Sequence, residues 1–168
     1  MDIFSEQLVS IKKDAKTYFL AALIIVATAA ITAGALIYSG AYPILVMVTV
    51  AAVYGAVKLI GLLNIEYEYI LTNGTFDIDK ITSKSKRSRV LSFECADILN
   101  VGKYNENAIK SMSVAKKLIC GNPANAYFIV AKVKGQKVLM VLSLNEKMLN
   151  TLKNSVPKAQ AQQLFFGL

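Results

Sequence analysis

The chain has no histidine and no tryptophan, only two cysteines and three prolines, and no charged residue between Thr17 and Val57. The missing histidine removes the usual general base, Ser-His or Cys-His nucleophile activation, and imidazole metal ligands. Cys95 and Cys120 stand at a spacing that fits no zinc pattern, and in a reducing compartment they read as small apolar residues in preference to a reactive thiol. Gly102, Gly121 and Gly135 are isolated, so no glycine-rich phosphate loop is present. No cofactor and no metal is expected.

What fills the uncharged stretch is apolar. A helix rises about 1.5 Å per residue and a bilayer core is about 30 Å thick, so a span needs roughly 20 apolar residues. Residues 18–38 and 44–63 both meet that length, and the Ser-Gly-Ala-Tyr-Pro segment between them suits a reversal, with Pro43 in the first turn of the second helix. Lys58 is the only charge in either span, near an end from which its stem reaches the interface. Tyr18, Phe19, Tyr38 and Tyr42 occupy interfacial positions. The chain is expected to divide into a leader (1–16), a transmembrane hairpin (17–63) and a soluble domain (64–168).

Lysine and arginine flank the spans on one side only. Lys12, Lys13 and Lys16 precede the first; Lys58 lies near the end of the second, and Lys80, Lys84, Lys86, Arg87 and Arg89 follow it; the connecting loop has none. The positive-inside rule then predicts a cell-membrane protein of two spans with both termini cytoplasmic. Two competing readings are a cleaved signal peptide, for which Ala33-Gly34-Ala35 offers a small-residue site, and buried helices of a soluble protein. The long polar leader, the second span and the lack of a polar face on either helix argue against both. Ala30 and Gly34 in the first span, and Ala51 and Gly55 in the second, repeat small residues at four-residue spacing. They serve either dimerisation between chains or, the preferred reading, packing of the two spans on each other.

The soluble part reads as mainly β. Residues 65–72 and 75–81 alternate around Asn73-Gly74, a strong hairpin signal because both residues accept positive φ. Ile65, Tyr67, Tyr69, Leu71, Phe76 and Ile78 share the core face, and Glu66, Glu68, Asp77 and Asp79 the wet one. The acidic face is either a cation site or a charge ladder neutralised by Lys84, Lys86, Arg87 and Arg89; the ladder is preferred. Further strands are expected at 87–94, 98–103, 115–120, 126–134 and 137–144, the last two joined by a Gly135-Gln136 turn and covered on both faces. Residues 105–113 form a loop with at most one helical turn. Met148, Leu149, Leu152 and Val156 then define an amphipathic helix, with Ser143 and Glu146 at capping-box spacing and Pro157 at the stop. The apolar tail from Lys158 onward either extends the helix over the domain or touches the bilayer.

The order of about seven strands and a closing helix is that of a pleckstrin-homology-like (PH-like) barrel, an α+β fold. The run Tyr67-Glu68-Tyr69-Ile70-Leu71-Thr72-Asn73-Gly74, Asp77–Ile81, the basic Lys84–Arg89, Asn125-Ala126-Tyr127-Phe128 and Asn145-Glu146-Lys147-Met148-Leu149 resembles a group of small bacterial membrane proteins. In that group a two-helix hairpin precedes a bacterial PH-like domain. The resemblance covers nearly the whole chain, matches least over residues 105–125, and implies no catalytic residue.

The net charge of +8 beside a membrane favours anionic lipid over nucleic acid, for which there is no stacking motif or basic helical stripe. The expected function is a non-enzymatic, membrane-anchored module that binds a protein partner or anionic lipid, with Lys84, Lys86, Arg87 and Arg89 as candidate lipid contacts; for that cluster, solubility, topology signalling and charge balance with the acidic face are the slightly preferred reading. The alternative is a small accessory subunit of a membrane complex, acting through its spans. An enzyme built on the four acids or a transport pore is disfavoured, since neither a convergent pocket nor an intramembrane polar site is present.

Overall fold

The structure, a computed structural model, describes residues 3–38, 42 and 44–165. The expected turn at residues 39–43, Tyr42 apart, and the end of the tail, residues 166–168, lie outside the described residues. The chain divides into two compact units. One draws on the chain before Lys12, on Glu66–Ile81 and on Arg87 onward; the other comprises Lys12–Ile65 and Thr82–Lys86.

The second unit is built on two helices, α1 (Ala15–Tyr38) and α2 (Leu45–Leu62). Asp14 starts α1 by accepting from both the backbone N–H (2.9 Å) and the hydroxyl (2.7 Å) of Thr17, which ties down donors the first turn leaves open. Both helices are long and apolar enough to cross a membrane, with mean hydropathy of 2.5 and 2.1. They pack on each other and bury Ala35 and Ala56, while Phe19, Val26, Ile37, Met47 and Val50 stay exposed. Their apolar side chains are not sheltered inside a protein core, as a soluble helix would require.

The first unit is the β domain, and its first strand comes from the leader. β1 (Phe4–Ser10) pairs antiparallel with β2 (Ile65–Thr72), running from Phe4 opposite Thr72 to Ser10 opposite Glu66. With β3 (Thr75–Thr82) and β4 (Lys86–Glu94) they form a sheet of order β1-β2-β3-β4. β5 (Ile98–Lys103), β6 (Lys116–Ile119), β7 (Tyr127–Val133) and β8 (Gln136–Leu142) form the other, of order β5-β7-β8-β6, with β6 parallel to β8. Among the described residues there are thus eight strands rather than about seven. The extra one escapes a reading of residues 64–168 because it lies before both helices; the fold class itself is as expected.

Turn chemistry fixes the registers. Asn73 (φ 48°) and Gly74 (φ 91°) both take the left-handed conformations of a two-residue hairpin. The β7–β8 turn differs from expectation by one residue: Lys134 (φ 50°) and Gly135 (φ 82°) form it, with Val133 opposite Gln136. The side chains keep their faces all the same, Ile129 opposite Met140 and Ala131 opposite Val138.

Two clusters result. Tyr69, Leu71, Phe76, Ile78 and Phe93 of the first sheet meet Ile129, Met140 and Leu142 of the second, and α4 (Glu146–Ser155) closes the barrel with Met148, Leu152 and Val156. Each such large side chain, fully buried, contributes roughly 1.5–3 kcal/mol of transfer free energy. On the opposite face of the second sheet, Phe128, Val130, Leu139 and Val141 are covered by Ile109 of α3 (Glu106–Lys110), Met112 and Val114, so β7 and β8 are buried on both sides as expected. The cap of α4 is Asn145, whose side chain accepts from Met148 N–H at 2.7 Å. Ser143, expected to take that role, is bonded instead to the backbone of Asn122. After Pro157 a further helix, α5 (Lys158–Leu164), carries Phe165 into the main core.

Candidate functional site

Gln7 of β1 ties the leader strand to the start of α4. Its amide donates to Ser143 O (2.7 Å) and accepts from Asn145 N–H (3.0 Å). Asn122 donates to Ser10 O (3.1 Å) from the neighbouring loop. The inward Val9 joins the core, and the outward Phe4, Glu6 and Leu8 stand on the sheet face that also carries the acids of β2 and β3.

That acidic face is not wet. Glu68 and Asp79 are 4 % and 3 % exposed, because β1 flanks β2 and two arginines lie across the strands. One guanidinium nitrogen of Arg87 reaches both oxygens of Glu68, at 2.8 and 2.6 Å. Arg89 bridges Asp77, at 2.8 Å, and Asp79. Burial lifts the Glu68 carboxyl above its ordinary value; Arg87 opposes the rise, and Glu6 and Asp79 add to it. This is a charge ladder in which β4 neutralises β2 and β3. Among the described residues no group of three or more acids and cysteines has metal-site geometry.

The four basic residues singled out from the sequence therefore separate. Arg87 and Arg89 are held by acids of their own sheet. Lys84 and Lys86 are exposed and form no ion pair among the described residues. Their loop is fixed to the end of α2: Ser83 N–H donates to Asn64 O at 3.0 Å, and a Cβ at Gly61 would stand 2.7 Å from Ser83 Oγ. Ser83 and Lys84 take φ of 56° and 55°, left-handed conformations that cost a non-glycine residue about 1–2 kcal/mol.

The small-residue positions also differ from the preferred reading. Ala35 and Ala56, each next to a glycine of the pattern, are the buried pair. Ala30 and Ala51 are exposed, and a Cβ at Gly34 or Gly55 would meet nothing within 4 Å. The buried alanines are thus offset by one residue from Gly34 and Gly55 of the four-residue pattern.

Cys95 and Cys120 are buried, and burial pushes their thiols up to about 12 and 11, far from a reactive thiolate. Tyr69 donates its hydroxyl to Cys120 O (2.5 Å) and accepts from Ser143 N–H (3.3 Å), joining the two sheets through the core. A cavity of about 390 Å³ at the β5–β7 end is lined by Lys103, Tyr104, Pro123, Ala124, Ala126, Tyr127 and Leu144, with no acid among them.

Only a short alternation of inward Ser5, Gln7 and Val9 with outward residues marks the leader strand locally. No curated protein and no solved structure matches the chain. A family model described as a bacterial PH-like domain (DUF6106) matches residues 1–162, which includes the leader strand and both helices as well as the barrel. The chain belongs to this bacterial PH-like domain family.

Proposed function

We propose that the protein is a non-enzymatic module that holds a PH-like domain at the cytoplasmic face of the cell membrane and engages partners there. A sheet cannot continue through a bilayer, since its backbone groups would lose their partners. The pairing of β1 with β2 therefore supports a topology of two spans in which the chain before α1 and the chain after α2 share one side. The lysines flanking the helices favour the cytoplasm as that side. Removal of α1 as a signal peptide would also remove β1 from its sheet.

The observation that carries the lipid role is the bond from Ser83 to Asn64, which holds Lys84 and Lys86 at the end of α2 where the chain leaves the bilayer. Each lysine near an anionic surface contributes about 1 kcal/mol. Arg87 and Arg89 have a different part, neutralising the sheet. The test is lipid enrichment around the full chain reconstituted in mixed anionic and neutral lipid. Lys84→Gln with Lys86→Gln is expected to reduce the anionic preference, and Arg89→Gln to leave it. Unchanged enrichment in the lysine variant ends the lipid assignment.

A second reading, an accessory subunit acting through its spans, is supported by the outward small residues Ala30, Gly34, Ala51 and Gly55. A version without the helices that retains every crosslinked partner rules it out.

A further inference from the structure

Charge in the β domain is sorted between the sheets. Glu66, Glu68, Asp77, Asp79 and Glu94 lie in the first sheet, beside the two arginines. From Ile98 to Asn145 the sequence has seven lysines and one acid, Glu106, which is bound to Lys110 at 2.7 Å. Lys132 and Lys137 stand directly opposite each other across β7 and β8, an arrangement that destabilises a strand pair. Lys134 occupies the turn between them with φ of 50°. All three are exposed, and among the described residues no ion pair involves any of them. Among the described residues, the neutralisation by ion pairs that serves the first sheet has no counterpart in the strands of the second.

Lys137 borders a cleft, with Lys132 directly opposite it across the strand pair. Lys137, Asn100, Leu99, Met112, Val114 and Val130 line a space of about 280 Å³ on the outer face of this sheet. Leu99 is 47 % exposed there. Lys137 at the rim, Lys132 opposite it on the next strand, and the apolar Leu99, Met112, Val114 and Val130 match a chain segment that alternates carboxylates with apolar side chains.

We propose that this cleft docks an acidic, apolar-bearing segment of a partner protein. A nucleic acid is a poorer match, since no aromatic residue lines the cleft to stack on a base. A lipid surface is poorer too. Cys95 N–H donates to Gly74 O, and Ile98, three residues on, pairs with Ala131. The β7–β8 turn thus belongs to the end of the barrel that carries the Asn73-Gly74 turn, opposite the Ser10–Glu66 pair through which the chain leaves for the helices and returns. The inference deepens the interaction-module reading by giving the protein partner a site, and it is independent of the lipid contact assigned to Lys84 and Lys86.

The test uses the full chain in nanodiscs of neutral lipid and a fluorescent peptide alternating glutamate and leucine, read by anisotropy. Saturable binding is expected, absent for the same peptide with glutamine for glutamate. Lys132→Gln with Lys137→Gln should weaken it roughly threefold to tenfold, the effect of losing two exposed ion pairs. Lys84→Gln with Lys86→Gln should leave it unchanged. The first variant removes a like-charge pair, so its melting temperature should not fall, which separates lost docking from lost folding. No saturable binding, or equal weakening by both double variants, overturns the site. Tighter binding of an oligonucleotide or of phosphatidylglycerol vesicles through Lys132 and Lys137 overturns the choice of partner.

Discussion

Ser10 and Glu66 face each other in one β ladder, the Ser10 hydroxyl donating to Glu66 Oε1 at 3.0 Å, although 56 residues separate them in the chain. Both apolar helices are inserted between them. In effect α1 and α2 form the loop of a β-hairpin whose strands are β1 and β2.

Replacing residues 11–65 with Asn-Gly should therefore give a folded domain that stays in the supernatant, because a two-residue turn closes directly opposed strand residues. Simple deletion of residues 1–63 should not, because it removes β1 and leaves the β2 edge open to aggregation. Sedimentation and amide exchange of β2 check both. Equal solubility and protection of the two proteins contradicts the role of β1.

Arg87→Ala leaves the Glu68 carboxylate buried without its cation. Because Arg87 is half exposed, the expected loss is about 1–2 kcal/mol at neutral pH rather than the larger value for a fully buried pair. Adding Glu68→Gln should return part of that loss, measured by urea unfolding of the four proteins in a double-mutant cycle.

The same carboxyl sets a pH dependence. Glu68 in the fold titrates above the ordinary 4.5, chiefly through burial. The folded chain then keeps a proton that the unfolded chain has released, so this contribution is full below the unfolded value and is lost as pH rises through the raised one. Stability of Glu68→Gln should lack that decline in a series from about pH 4 to pH 8. An identical slope in both proteins assigns the decline elsewhere.

Ala35→Leu should force the two helices apart and cost about 1–3 kcal/mol, the usual range for overpacking. Gly34→Ala, one position away, should cost nothing, since its Cβ enters open space. Thermal melting in detergent distinguishes them, and equal loss at both positions would mean that the contact runs through the glycine face.

Gln7→Leu strips Ser143 O and Asn145 N–H of their shared partner, and should lower stability by about 1–2 kcal/mol while loosening the start of α4. Faster exchange of the Asn145 and Met148 amides is the specific sign; a uniform loss of protection would instead show a global effect.

The sequence by itself determined whatever depends on short-range pattern. Two apolar runs of roughly bilayer-spanning length, with Lys58 the only charge in either, gave the two helices. Asn73-Gly74 between alternating strands gave the β2–β3 hairpin and its core face, Tyr69, Leu71, Phe76 and Ile78. The spacing of Met148, Leu152 and Val156 gave the closing helix. Only the tertiary structure decided what depends on partners distant in the chain. β1 is short and half polar, so nothing local marks it; pairing with β2 across the inserted helices makes it a strand. Arg87 and Lys86 are adjacent and alike in charge, yet alternation along β4 turns Arg87 onto Glu68 and leaves Lys86 in solvent. Gly34 and Ala35 differ by about 100° around α1, and the approach of α2 selects the alanine. In each case the residue types set what contact is possible, and the pairing of remote segments set which contact is made.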